Sequence, residues 1–243
     1  MSGAILALLV AATPVADRLK DANDAARGGD YPRAIAGYRE LARSGAESGS
    51  VYWNWAQAAA ARGATGEALY ALLRARELEP GDRAVAREIE RAREAANLDA
   101  AEIAPEPLAA LGRWCRRLEL ARLAVVLAAV SLALHAVGRA RDAASFTAAG
   151  LWTLGAALVV AALPLAASRA RPTAVVLLRG APLFDAASPT ASAVGSLREG
   201  EVVPVLEPGE GFLRVEDSSG ARGWARAGDV ARLDQPPPAA ASF

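Results

Sequence analysis

The sequence predicts a multidomain chain made of three unlike parts: an all-α solenoid of helical hairpins, a two-helix transmembrane hairpin and a small all-β barrel. Three observations carry this. Small and apolar residues recur at one period between Ala22 and Leu72. Two apolar runs, Leu120 to Gly138 and Ala143 to Ala167, are separated only by Arg139-Ala140-Arg141-Asp142. From Thr173 onward an alanine-rich texture gives way to short β-branched and leucine runs divided by Gly, Pro, Asp and Ser. In a chain of 243 residues the membrane hairpin leaves room for two small modules.

In chain order, Ile5 to Val10 followed by Ala11-Ala12 is too short to span a bilayer. It reads as the apolar part of a secretory signal over residues 1–12, although no Lys or Arg precedes Ile5. Residues 17–97 then read as helical repeats. A shift of 34 residues brings Ala22 onto Ala56, Ala25 onto Ala59, Gly29 onto Gly63, Ala34 onto Ala68, Ile35 onto Leu69 and Tyr38 onto Leu72. Each unit has a Gly-containing turn between two helical stretches, and Leu78-Glu79-Pro80-Gly81-Asp82 stops the second unit and caps the next helix. Val85, Ile89, Ala92 and Ala96 then line one stripe of a charged helix, as expected of a helix closing the end of a solenoid.

These residues resemble the tetratricopeptide repeat: Trp53-Asn54-Trp55-Ala56, Ala59, Gly63, Ala68, Ala75 and Pro80 match its pattern in the second unit. The first unit matches through Ala22, Ala25, Gly29-Asp30-Tyr31, Ala34-Ile35 and Tyr38, but has Asp21 where the family is apolar, so an irregular first helix is expected there. The resemblance implies a concave groove lined by the first helix of each hairpin and binding partner peptides. Its candidates are Lys20, Asn23, Arg27, Trp53, Asn54 and Gln57. Trp55 is expected to pack, and Trp53 is open to either role. Two repeats are fewer than the three or so that usually stand alone, so another surface is needed to complete the core.

Residues 98–117, with Pro105 and Pro107, read as a linker, residues 118–138 as the first membrane helix and residues 143–167 as the second. Arg122, near the start of the first span, is placed to snorkel toward headgroups. The alternative is a buried alanine-rich hairpin in a soluble protein. Two spans put both modules on one side of a bacterial inner membrane. The signal-like start favours the periplasm, whereas Arg113, Arg116, Arg117, Arg122, Arg169 and Arg171 outnumber Arg139 and Arg141 and favour the cytoplasm. The periplasmic side is the expectation.

Residues 173–233 form the β part, with strands expected around Ala174–Leu178, Glu201–Leu206, Phe212–Val215 and Gly223–Ala225 and a hairpin turn at Asp217-Ser218-Ser219-Gly220. Residues 234–243, with Pro236-Pro237-Pro238, read as a disordered tail. The order of a long irregular loop (Arg179 to Ser196), Leu197-Arg198-Glu199-Gly200-Glu201, Phe212-Leu213-Arg214-Val215 and Gly223-Trp224 resembles a bacterial SH3-like domain. That resemblance implies a ligand face carrying Phe184, Phe212 and Trp224. In so small a barrel Trp224 is also expected to supply much of the core.

The 27 basic and 27 acidic residues balance, so nucleic acid is not an expected partner. A single cysteine, Cys115, and a single histidine, His135, exclude an intramolecular disulfide and a Cys/His zinc site. Cys115 reads as a small interfacial residue. No nucleophile–base pair or paired carboxylates emerge, so no enzyme, metal or cofactor is expected. The order of the parts resembles the BatE-type proteins of bacterial aerotolerance operons. That resemblance implies von Willebrand A-domain partners and an envelope-stress role. A scaffold acting through the groove is the leading reading, and an envelope sensor or cell-wall binder acting through the β part is the alternative.

Overall fold

The computed structural model describes residues 2–98, 111–112, 114–115, 118–167 and 171–236. It divides into two units, Met1–Ala104 with Pro172–Phe243, and Pro105–Arg171. Most of the linker 98–117 and of the tail 234–243, and Arg113, Arg116, Arg117 and Arg169, lie outside the described residues.

In the first unit five helices precede a sheet: α1 (Ser2–Arg27), α2 (Tyr31–Arg43), α3 (Gly49–Ala61), α4 (Thr65–Leu78) and α5 (Arg83–Ala95). The period read in the sequence is repeated in the backbone. Helix α1 ends with Gly29 at φ +79°, where Gly29 N–H donates to the Ala26 carbonyl and Asp30 N–H to the Ala25 carbonyl. Helix α3 ends with Gly63 at φ +79°, Gly63 N–H donating to Ala60 and Ala64 N–H to Ala59. Both are the left-handed closures that satisfy the last carbonyls of a helix, and glycine adopts them without a Cβ penalty. Asp30, Ser48 and Asp82 cap α2, α3 and α5 through their side chains. The expected irregularity at Asp21 is not found: α1 is continuous, because Asp21 points to solvent while Ala22 and Ala25 carry the buried stripe.

The helical core is aromatic. Tyr52 stacks on Trp55 at 5.6 Å between ring centroids, and Tyr70 meets both edge-on. Polar ends are satisfied around it. Trp55 Nε1 donates to Glu67 Oε1 at 2.9 Å, which Arg39 also reaches at 2.5 Å. Tyr52 Oη donates to Glu47 at 2.6 Å, and Arg74 donates to the same carboxylate at 2.6 Å. Burial, together with the bond to Glu47, pushes the Tyr52 hydroxyl up to about 12.

The sheet follows the membrane hairpin in sequence. Its strands are β1 (Thr173–Val176), β2 (Ala181–Phe184), β3 (Ala193–Leu197), β4 (Val202–Pro208), β5 (Phe212–Glu216), β6 (Arg222–Arg226) and β7 (Val230–Arg232), all antiparallel, in the order β3-β2-β6-β5-β4-β1-β7. Side chains from all seven strands, among them Val176, Leu183, Leu197, Val203, Val215, Ala225 and Val230, meet in one apolar cluster. A flat sheet could not bring its two edges together in this way, so the sheet is curled. Two sequence expectations are corrected. The segment Arg179 to Ser196 is not an irregular loop but contains β2 and most of β3, a hairpin with a register shift at Leu183/Phe184. Trp224 is absent from the cluster: Gly223 and Ala225 face inward on β6 and Trp224 faces out.

Helices and sheet share a core. Val175 and Ala231 belong to the same apolar cluster as Leu69, Leu72 and Trp55, and Leu177, Val202 and Leu233 pack against it. Arg74 donates from the helical side to the carbonyl of Leu233.

The second unit is a hairpin of α6 (Leu120–Ala140) and α7 (Ala144–Ala167). Both are long and apolar enough to cross a membrane. Relative to the expected spans, α6 starts two residues later and runs on through Arg139 and Ala140, where a basic side chain suits the negative end of the helix. The turn falls at Arg141–Ala143, with Asp142 left-handed. The seam is made of small residues: Ala124, Ser131 and Gly138 on α6 and Gly150 and Ala157 on α7 are buried. Ser131 Oγ donates to the Gly150 carbonyl at 2.6 Å. Apart from the buried Leu120 at the start of α6, the large apolar side chains are exposed or half-exposed, with Trp152 81% and Leu132 71% exposed. A core hairpin of a soluble protein hides such residues, so the outward apolar surface fits lipid rather than water.

Candidate binding surfaces

The six residues expected to line a groove lie on α1 and α3, which run beside each other in the helical module. Lys20 and Arg27 are exposed and both bond Asp24, Lys20 at 2.9 Å. These hydrogen bonds, Lys20's first, hold the Asp24 carboxyl below its ordinary value and raise the Lys20 ammonium. Asn23 and Asn54 are brought together: Asn54 Nδ2 donates to Asn23 Oδ1 at 3.0 Å, and the Tyr38 hydroxyl donates to the same oxygen at 2.8 Å. This pair ties α1 to α3, so part of the row read as ligand-facing also serves the fold. Trp53 is half-buried and packs against the aromatic core, whereas Gln57 is exposed. Of the six, Lys20, Arg27 and Gln57 remain exposed, the two basic side chains each paired with Asp24.

The three aromatic residues of the β part are gathered on its outer face. Phe184 is the cross-strand partner of Trp224, and Trp224 is also the partner of Arg214. Phe212 faces Arg226, which lies over the Phe184 ring at 5.2 Å. The Phe184 and Phe212 rings meet edge-to-face at 6.1 Å. Directly paired residues share a face, so two phenylalanines, one tryptophan and two arginines form a single aromatic–cationic cluster on the side of the sheet away from the apolar cluster, in which Phe184 and Phe212 are buried, Trp224 is half-buried and Arg214 and Arg226 are exposed. The arginines do not stand out in the sequence, but their signal is present: Arg214 and Arg226 stand two residues from Phe212 and Trp224 respectively.

The Leu197-Arg198-Glu199-Gly200-Glu201 turn also holds residues that the sequence does not single out. Glu201 is 2% exposed, accepting from Ser218 N–H at 2.9 Å and Arg198 N–H at 3.1 Å, so it ties two turns together. Glu199 accepts from Gly66 N–H at 2.9 Å, on the first turn of α4.

Residues 179–231 match the family model of the bacterial SH3 domain, whose members are in general protein- or cell-wall-binding modules. The match spans less than a quarter of the chain and includes all three aromatics of the outer patch; β1 lies before it. No curated protein and no solved structure matches the chain.

Proposed function

We propose that the protein is a membrane-anchored, non-enzymatic scaffold. A tetratricopeptide-like groove on α1 and α3 holds a partner's peptide segment, the α6–α7 hairpin keeps it at a bacterial inner membrane, and the SH3-like module adds a second contact. One observation supports this most: Lys20, Arg27 and Gln57 stay exposed on the candidate groove side, whereas α4 is buried from Gly66 to Ala75. Because helices and sheet share a core, both flanks of the hairpin belong on one side of the membrane, as two spans require. We take that side to be the periplasm, in keeping with the signal-like start. The order of parts fits the BatE-type aerotolerance proteins, which would make a von Willebrand A-domain membrane protein the partner.

The test is affinity capture of membrane proteins by the full chain and by a Lys20→Glu/Gln57→Ala double variant. Both side chains are exposed, so folding should be unchanged by circular dichroism, and capture should fall at least tenfold. Equal capture by both proteins sinks the groove. The outer patch favours a second reading, in which the SH3-like module binds cell-wall material. Co-sedimentation of the full chain with peptidoglycan, abolished by Trp224→Ala, would support it.

A further inference from the structure

Helix α4 is buried on every side, with ten consecutive residues, Gly66 to Ala75, withdrawn from solvent. A two-hairpin array with one closing helix leaves part of such a helix bare. Here the β-module covers it, through three independent devices. The first is electrostatic: the N-cap of α4 is Ala64, which has no side-chain acceptor, and Glu199 of the sheet supplies the carboxylate that accepts from Gly66 N–H. The second is steric. A Cβ on Gly66 would collide with the Val176 carbonyl oxygen, and one on Gly200 would lie 2.5 Å from Leu69 Cδ1, so each module has a glycine where the other approaches. The third is apolar: Val175 and Ala231, at 0% and 1% exposure, complete the cluster of Leu69, Leu72 and Leu73. At the edge of the junction Arg198 donates to the Asn97 carbonyl at the end of α5.

We infer that the SH3-like module is the closing cap of the helical solenoid, and that the two fold as one cooperative unit although the membrane hairpin separates them in sequence. The surface where a third repeat would stack is therefore occupied by the chain itself. Ligands of the groove and ligands of the outer aromatic patch bind one folding unit, so either ligand stabilises the other's module. This inference does not depend on what the groove binds.

Hydrogen exchange of the full chain in detergent micelles tests it. Val203→Asp places a charge in the sheet's own cluster, away from the helices. The amides of α4 are expected to exchange at least tenfold faster in this variant. Loss of protection in the strands with α4 unchanged within twofold would overturn the inference. Should Val203→Asp fail to accumulate, Glu199→Ala leaves both cores intact. It is expected to speed exchange at Gly66 and its neighbours at least fivefold, and no change there would equally overturn it.

Discussion

The α3–α4 and α6–α7 hairpins use the same local architecture and are packed inside out. In α3–α4 the largest side chains, Trp55, Tyr52 and Tyr70, fill the interior, and their polar edges are satisfied: Trp55 by Glu67, Tyr52 by Glu47 and Arg74, and Tyr70 by the Gln235 carbonyl. In α6–α7 the interior is mostly small, with Ala124, Ser131, Gly138, Gly150 and Ala157 beside one leucine, Leu120, whereas Leu132, Leu151, Leu158, Val125 and Trp152 face outward. In water, burying apolar area is the main favourable term, so the bulky residues go inside. In lipid that incentive would be absent. Helices in it associate by close backbone approach, which small residues permit: a Cβ on Gly150 would come within 3.1 Å of the Ser131 carbonyl oxygen.

The sharpest way to break this comparison is at Trp55, which is 1% exposed. Trp55→Ala should cost about 3–5 kcal/mol in chemical unfolding of the full chain, from lost burial and the cavity left behind. A cost below about 1 kcal/mol would mean that the aromatic cluster is not the core. Next in size is the lipid face. Leu158→Arg, near the middle of α7 at a position 64% exposed, should cost about 3–4 kcal/mol of insertion free energy in a translocon-insertion reporter. Gln57→Arg on the exposed side of α3 should stay within about 0.5 kcal/mol in unfolding. Insertion unaffected by the arginine would return the hairpin to the soluble reading.

A third test asks whether the rule that buried polar groups need partners holds in the sheet. Asp229 is buried, and its Oδ2 has no hydrogen-bond partner among the described residues. Burial raises its carboxyl above the ordinary value, an effect that Arg226 only partly offsets. A raised carboxylate pKa means that the folded state holds the proton more tightly than the unfolded one. The group's contribution to stability is therefore fully present below the unfolded value and is lost as pH rises through the folded one. Asp229→Asn should accordingly stabilise the protein by about 1 kcal/mol at neutral pH. That advantage should fade in thermal melts as pH falls into the carboxylate range. A variant equally stabilised at every pH would remove titration as the cause. The smallest effect belongs to the membrane seam, where Ser131→Ala should weaken hairpin association by about 0.6 kcal/mol. A loss of several kcal/mol would show that the hydrogen bond to Gly150, rather than close packing, holds the seam.

Periodic features are legible in the sequence. The matches of Ala25 with Ala59 and Gly29 with Gly63 correspond to equivalent helix ends, and the uninterrupted apolar runs to helices, because both rest on local patterns. The misses are non-local or lack alternation. Strands β2 and β3 are hidden because Pro182 and Gly195 interrupt any alternating pattern and four of five β3 residues are exposed. Trp224 is expected inward since it is the only large apolar residue in Gly223-Trp224-Ala225. The core takes its small neighbours instead because Leu183 already fills that space: a Cβ on Gly223 would sit 2.5 Å from Leu183 Cγ. Of the candidate surfaces, the aromatic patch is legible as residues but not as a cluster. The Asn23–Asn54 bond cannot be read from either asparagine alone.

The bond between Glu199 and Gly66 spans 133 residues of chain, and that separation has a temporal side. At a synthesis rate of about 5–20 residues per second, α4 leaves the ribosome roughly 7–27 s before the carboxylate that caps it. During that interval both long apolar helices are made and the helical module has an uncovered apolar side. Any chain whose hairpin inserts so as to leave the two ends on opposite sides keeps that apolar side exposed.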